Sequence, residues 1–197
     1  MKRTNLKDKV VSEFKSYCRE SSVRIFQEST EREEVTFNEV TNIWNELTYC
    51  CFVSARGQTI NTNLMVFFNE KIVDDLVKSC FPWEKDHSLN VGIGLFSEYS
   101  NMLMAAIKKS LEQVDFLNLG VPVVNKIEGE NVTLLGSAQK HFPKERKVLL
   151  RNSWSLAMEE GHVYNHLRTE VNDIDKFMKG NFDSGDDDLQ GGDVMIF

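Results

Sequence analysis

Two stretches of this chain fold back on themselves, and they constrain its architecture more than any other feature. In the first, "LTYCCFVSA" (47–55) and "INTNLMVFF" (60–68) are rich in β-branched and aromatic residues. "RGQT" (56–59) joins them as a short connection with its glycine. In the second, "RKVLLRNSWSLAMEEGHVYNHLRTEV" (146–171) reads as a strand, a Glu-Glu-Gly turn and another strand. Strands joined by such short turns pair antiparallel, and an antiparallel sheet needs a cover for at least one face.

Helical segments supply that cover. Residues 5–19 carry Leu6, Val10, Phe14, Tyr17 and Cys18 at helical spacing. "EKIVDDLVKSCF" aligns Ile72, Val73, Leu76, Val77 and Cys80 on one stripe, and Pro82 closes it. A long helix is expected over 91–114, after a connecting loop at 81–90. "SVRIFQES" (22–29) alternates through Val23, Ile25 and Phe26 and suggests a short strand. Residues 30–46 space Phe37, Val40, Ile43 and Trp44 as a short amphipathic helix. Two short β runs, Val121–Ile127 and Asn131–Leu135, flank a turn at Glu128–Asn131. The order predicts an α/β fold over 1–171, a single domain of mainly antiparallel sheet with helices packed on one face.

From 172 the composition turns acidic and hydrophobic residues become sparse, so 172–197 is expected to be a flexible solvated tail. An alternative is a docking peptide, because "DVMIF" ends on four apolar residues. The Asp run lacks the alternating ligands, sixth-position glycine and twelfth-position glutamate of a calcium loop.

The formal net charge of −7, without a Lys/Arg cluster, argues against nucleic acid as a partner. Purely apolar runs are short, as at Leu64–Phe68, so no membrane insertion is expected. The charged start "MKRTNLKDKVVSEF" has no signal-peptide core, and a cytoplasmic protein is expected. Cys18, Cys50, Cys51 and Cys80 form no C-x-x-C and read as free thiols, with Cys50 and Cys51 on opposite faces of a strand. His162 and His166 fall on a strand, where i and i+4 lie about 13 Å apart, and read as surface histidines. No metal site is expected. Trp44, Trp83 and Trp154 read as core or half-buried anchors.

The long helix carries the sharpest feature. Wound at about 100° per residue, it gathers Leu95, Phe96, Tyr99, Met102, Leu103, Ala106, Ile107, Leu111 and Val114 in one broad arc. Glu98, Asn101, Ala105, Lys108 and Glu112 fall opposite. Glu98 and Asn101 are i and i+3, so their side chains project side by side. Ser97, Ser100 and Ala105 beside them are small, leaving a low patch where another surface can approach.

This segment, Glu98-Tyr-Ser-Asn101-Met-Leu-Met-Ala105-Ala106-Ile-Lys108, resembles the signature helix of the CheC/CheX phosphatases of bacterial chemotaxis, Glu-x-x-Asn-x-x-x-Gly-Asn-x-Lys. The element order over 5–171 is also similar: a leading helix, "NLMVFFNEKIVDDLVKSC", the motif helix, a "PVV" strand and a closing hairpin. One motif helix rather than two makes CheX the nearer likeness. Ala105 replaces the family's glycine with little change in size, and Ala106 replaces an asparagine at a position pointing to the core.

The resemblance implies a protein phosphatase that hydrolyses the phosphoaspartate of a CheY-type response regulator. Its helix would enter the regulator's own active site. Asn101 would hold the attacking water and Glu98 would pair with the receiver's lysine. Ser97, Ala105 and Lys108 would line the contact. The chain would carry no cofactor of its own, the Mg²⁺ coming from the phosphorylated regulator. The resemblance also implies a homodimer formed through sheet edges or terminal strands. A non-catalytic adaptor of the same fold, binding a partner through this helix or the acidic tail, is the alternative.

Overall fold

The computed structural model describes residues 2–40, 47–83, 89–127, 148–180 and 182. Both expected hairpins are present. The first is β2 (Tyr49–Arg56) with β3 (Ile60–Phe68), and the second is β6 (Val148–Met158) with β7 (Gly161–Val171). β7 pairs with β3, so the two hairpins join into one antiparallel sheet. β1 (Thr36–Glu39) extends it at one side. β4 (Asn118–Leu119) and β5 (Val123–Lys126) both pair with β2 at the other.

Helices α1 (Lys2–Thr30), α2 (Glu70–Cys80) and α3 (Leu89–Leu111) cover one face. The strands alternate accordingly: in β7, Val163, Asn165, Leu167, Thr169 and Val171 are buried. The other face carries a smaller apolar cluster of Cys50, Met65 and Phe67. Cys51 belongs to the main core and Cys50 to this second cluster, as strand alternation requires. All four cysteines are free, with Cys18, Cys50 and Cys51 buried and Cys80 half-buried.

Several expectations are corrected. The strand expected at 22–29 is the second half of α1. The stripe Val10, Phe14, Cys18, Ser21, Ser22, Ile25 and Phe26 runs at a three-to-four-residue period through a polar pair. Ser22 is buried because its hydroxyl donates to the Arg19 carbonyl at 2.7 Å and accepts from Trp154 Nε1 at 2.7 Å. The helix expected over 30–46 is instead strand β1 in its middle, held by pairing to β6. Ile43 and Trp44 lie outside the described residues. Trp83 is no core anchor: it is 71% exposed and meets the edge of Phe81. The run at Asn131–Leu135 also lies outside the described residues.

The packed chain also continues past 171. Asp173 caps a short helix, α4 (Ile174–Phe177), and Phe177 and Phe182 are both buried. Their rings lie 5.6 and 5.1 Å from Phe14 and 5.2 Å from each other. Residues 172–180 and Phe182 are therefore not a solvated tail, because aromatic burial against α1 holds them. Residues 183–197 lie outside the described residues.

Candidate functional site

The core locks the rotation of α3. Tyr99 is fully buried and donates its hydroxyl to Asn165 Oδ1 on β7 at 2.9 Å. Phe96 stacks on Phe68 at 3.9 Å between centroids, and Tyr99 meets Phe26 edge-on at 5.1 Å. At Gly92 an added Cβ would lie 2.1 Å from Val73 Cγ1, so a glycine lets α2 come close. With these contacts satisfied, α3 has one azimuth, and its outer face is fixed.

Glu98 and Ala105 are exposed on that face, while Ser97, Asn101 and Lys108 are half-buried along it. Among the described residues, neither Glu98 nor Asn101 has a hydrogen bond or ion pair within the chain. Among the described residues, both side chains therefore keep their polar groups without a partner. Lys108 differs: its Nζ lies 2.6 Å from Glu112 Oε1 and 5.9 Å from the centroid of the Phe116 ring. Ser97 donates to the Ile93 carbonyl at 2.8 Å, so its outward contribution is mainly its small size.

Ser100 does not belong to this face. It is buried, and its hydroxyl donates to the Phe96 carbonyl at 2.7 Å. Ser97 and Ser100 both reach the Cys51 thiol of β2. Burial raises the pKa of that thiol, and the two serine contacts only partly oppose the shift. Ala106 is 3% exposed and accepts from the Tyr17 hydroxyl through its carbonyl, so the alanine in place of the signature asparagine points inward as expected.

Sequence reasoning missed Gly94. It lies one turn before Glu98, is exposed, and an added Cβ there would meet nothing within 4 Å. A glycine inside a helix costs about 1 kcal/mol relative to alanine, so the chain's own packing does not account for it. That cost in an otherwise good helix was the available signal.

The resulting site is a convex strip, Gly94–Glu98–Asn101–Ala105, low at both ends with a carboxylate and a carboxamide in the middle. A carboxamide both donates and accepts, whereas a carboxylate only accepts. The pair can orient a water and bind a cation. No group of three or more His, Cys, Asp or Glu side chains among the described residues is arranged to hold a metal ion. No described helix is long and apolar enough to cross a membrane.

No protein-family model and no curated protein sequence matches the chain. Solved structures do. The chemotaxis protein CheX from Vibrio vulnificus superposes with a TM-score of 0.58 at 14% identity, covering 80% of this chain and 99% of that one. The fold is that of the CheC/CheX chemotaxis proteins. The CheX–CheY–BeF3–Mg²⁺ complex from Borrelia burgdorferi matches at 0.54 and 8% identity, over 79% and 96% of the two chains. A chain of the FliG–FliM complex from H. pylori matches at 0.51 and 11% identity, over 86% and 97%. At these identities the likeness is one of fold. The CheC/CheX fold accounts for the antiparallel sheet and its helical face, and the chemistry must be argued from α3 itself.

Proposed function

We propose that this protein dephosphorylates the receiver domain of a CheY-type response regulator, with α3 entering the receiver's active site. The observation that carries the reading is the unspent pair Glu98 and Asn101 on a helix whose rotation the core fixes. Such rigidity lets a surface helix present two side chains with the precision that phosphoryl transfer needs, since that chemistry depends chiefly on positioning and electrostatics. The likeness to a CheX structure bound to CheY supports the choice of partner.

In this reading the Asn101 carboxamide holds a water in line with phosphorus. The water oxygen bonds to phosphorus as the bond from phosphorus to the receiver's aspartate oxygen breaks. The aspartate leaves as carboxylate, and both water protons end on the released phosphate as dihydrogen phosphate, which gives one up to solvent at neutral pH. Glu98 pairs with the receiver's lysine and sets the register of docking. The receiver's Mg²⁺ supplies charge neutralisation when bound. Neither Glu98 nor Asn101 acts as a general base.

The test follows loss of phosphate from phosphorylated CheY-type receivers. Asn101→Ala is expected to slow the accelerated decay by about 10²-fold while binding of a beryllofluoride-loaded receiver persists. Acceleration undiminished in Asn101→Ala overturns the hydrolase. Binding with no acceleration in the wild type favours the second reading, an adaptor, which the likeness to the FliG–FliM complex supports.

A further inference from the structure

Glu98 and Asn101 can direct chemistry, but they supply little affinity, because an exposed charge pair is screened by water and costs side-chain freedom to hold. The anchor for a partner must lie beside them. The two flanks of α3 differ in what they offer. On the Met102 side α1 closes against the helix: Ser29 Oγ lies 3.8 Å from Met102 Sδ, and the Tyr17 hydroxyl donates to the Ala106 carbonyl at 3.1 Å. On the Asn101 side Ser97 and Ser100 sit over Cys51 of β2, and the described strands beyond β2 are β4 and β5.

Among the described residues, that edge carries exposed apolar side chains. Phe116 is 73% and Val121 83% exposed and Leu119 is exposed between them in sequence, while Val123, paired with Phe52, is exposed on the opposite face of the sheet. These are four of the eight large hydrophobic side chains exposed among the described residues, and they fall within eight positions of one another. The chain gains little by keeping them there, and contiguous exposed apolar patches mark interaction surfaces. The Lys108 ammonium over Phe116 joins the patch to the helix face. From Asn101 to Lys108 α3 rises about 10 Å. A standard interface spans about 30 Å on each partner, so a protein seated on Asn101 covers this edge as well.

We propose that the β4–β5 edge, centred on Phe116 and Val121, is the anchoring half of the docking surface for the phosphorylated receiver. The partner rests on the outer strip of α3 with its reacting group and on the sheet edge with its apolar contact. This rests on the function proposed above for α3. A second copy of the chain is the competing occupant, and the edge suits it poorly. β4 and β5 have two and four residues, broken at Gly120–Pro122, where the Gly120 N–H is drawn onto the Ser54 carbonyl at 2.7 Å and Pro122 has no N–H to offer.

The experiment titrates the full chain with a CheY-type receiver carrying beryllofluoride and Mg²⁺, and follows hydrolysis of the same receiver in its phosphorylated form. The double variant Phe116→Ser/Val121→Ser is expected to raise Kd and KM at least tenfold, with kcat nearly retained and the unfolding midpoint unmoved. Leu149→Ser, an exposed site away from α3, serves as the control and is expected to leave Kd unchanged. A Kd within twofold of wild type, while Asn101→Ala abolishes hydrolysis, overturns the anchor and leaves the proposed function standing. A tenfold loss of binding with hydrolysis intact in Asn101→Ala does the reverse. A wild type that binds no such receiver sinks both. A variant that turns a dimer into a monomer in sedimentation, with Kd unchanged, assigns the edge to a second copy and overturns the proposal.

Discussion

Asp115 and Glu98 are carboxylates on the same stretch of chain, and the fold treats them in opposite ways. Asp115 lies just beyond the end of α3, is 6% exposed, and accepts from the backbone N–H groups of Thr59 and Ile60 at 2.7 and 2.9 Å. It closes the β2–β3 turn, and Gly57 is needed there because an added Cβ would lie 2.3 Å from the Asp115 carboxylate. Glu98, in the middle of the helix, is exposed and bonds to nothing described in its own chain. The contrast separates structural from functional use. A carboxylate serving the fold is buried and saturated with donors, whereas one serving a partner keeps its acceptors free.

The strongest challenge to that contrast is Asp115→Asn. Burial works to raise the pKa of Asp115, but the two backbone N–H groups, with Lys176 nearby, outweigh it and hold the carboxyl below its usual value. A folded pKa below the unfolded one adds stability that is complete above the unfolded value, about 3.9 for Asp. That stability is lost as pH falls through the folded value. The amide of the variant has no charge to lose, so the substitution is expected to cost about 2 kcal/mol of stability at pH 7, and the deficit is expected to shrink below pH 4. Urea unfolding at pH 7 and pH 3 reads both. An equal deficit at the two pH values would mean that the charge on Asp115 does not matter to the turn.

The same measurement on Glu98→Ala and Asn101→Ala is expected to give changes within about 0.5 kcal/mol, as for surface positions without internal partners. A loss above about 1.5 kcal/mol for Asn101→Ala would make its half-buried carboxamide a structural group and remove the contrast.

How much of this was legible before folding depends on how local each cause is. The hairpins and α2 were readable because alternation, turn glycines and the 72–73–76–77 stripe all act within a few residues. β1 was not, because Thr36–Glu39 is a strand only by virtue of pairing with β6, more than a hundred residues away. The second half of α1 was misread because the stripe passes through Ser21 and Ser22. The reason for burying Ser22 is Trp154, far along the chain. Phe177 and Phe182 looked like isolated hydrophobes in an acidic stretch until Phe14 supplied their partner. On α3 the outward direction of Glu98 and Asn101 follows from the helical period alone. The inward turn of Ser100 and the exposure of Phe116 and Val121 do not, since they depend on what the neighbouring strands leave uncovered.

Gly94→Ala probes the contrast most finely. The added methyl meets nothing in the chain, and alanine restricts the unfolded state more than glycine does. The substitution should therefore stabilise the fold by about 0.5–1 kcal/mol. If the low end of the strip exists for close approach of a partner, the same methyl weakens receiver binding while the protein becomes harder to unfold. Opposite signs in the two measurements would mark Gly94 as kept for a surface outside the chain. A gain in stability with binding unchanged would confine the contact to Glu98, Asn101 and the positions after them, because a helix met one turn earlier cannot accept a new side chain there without cost.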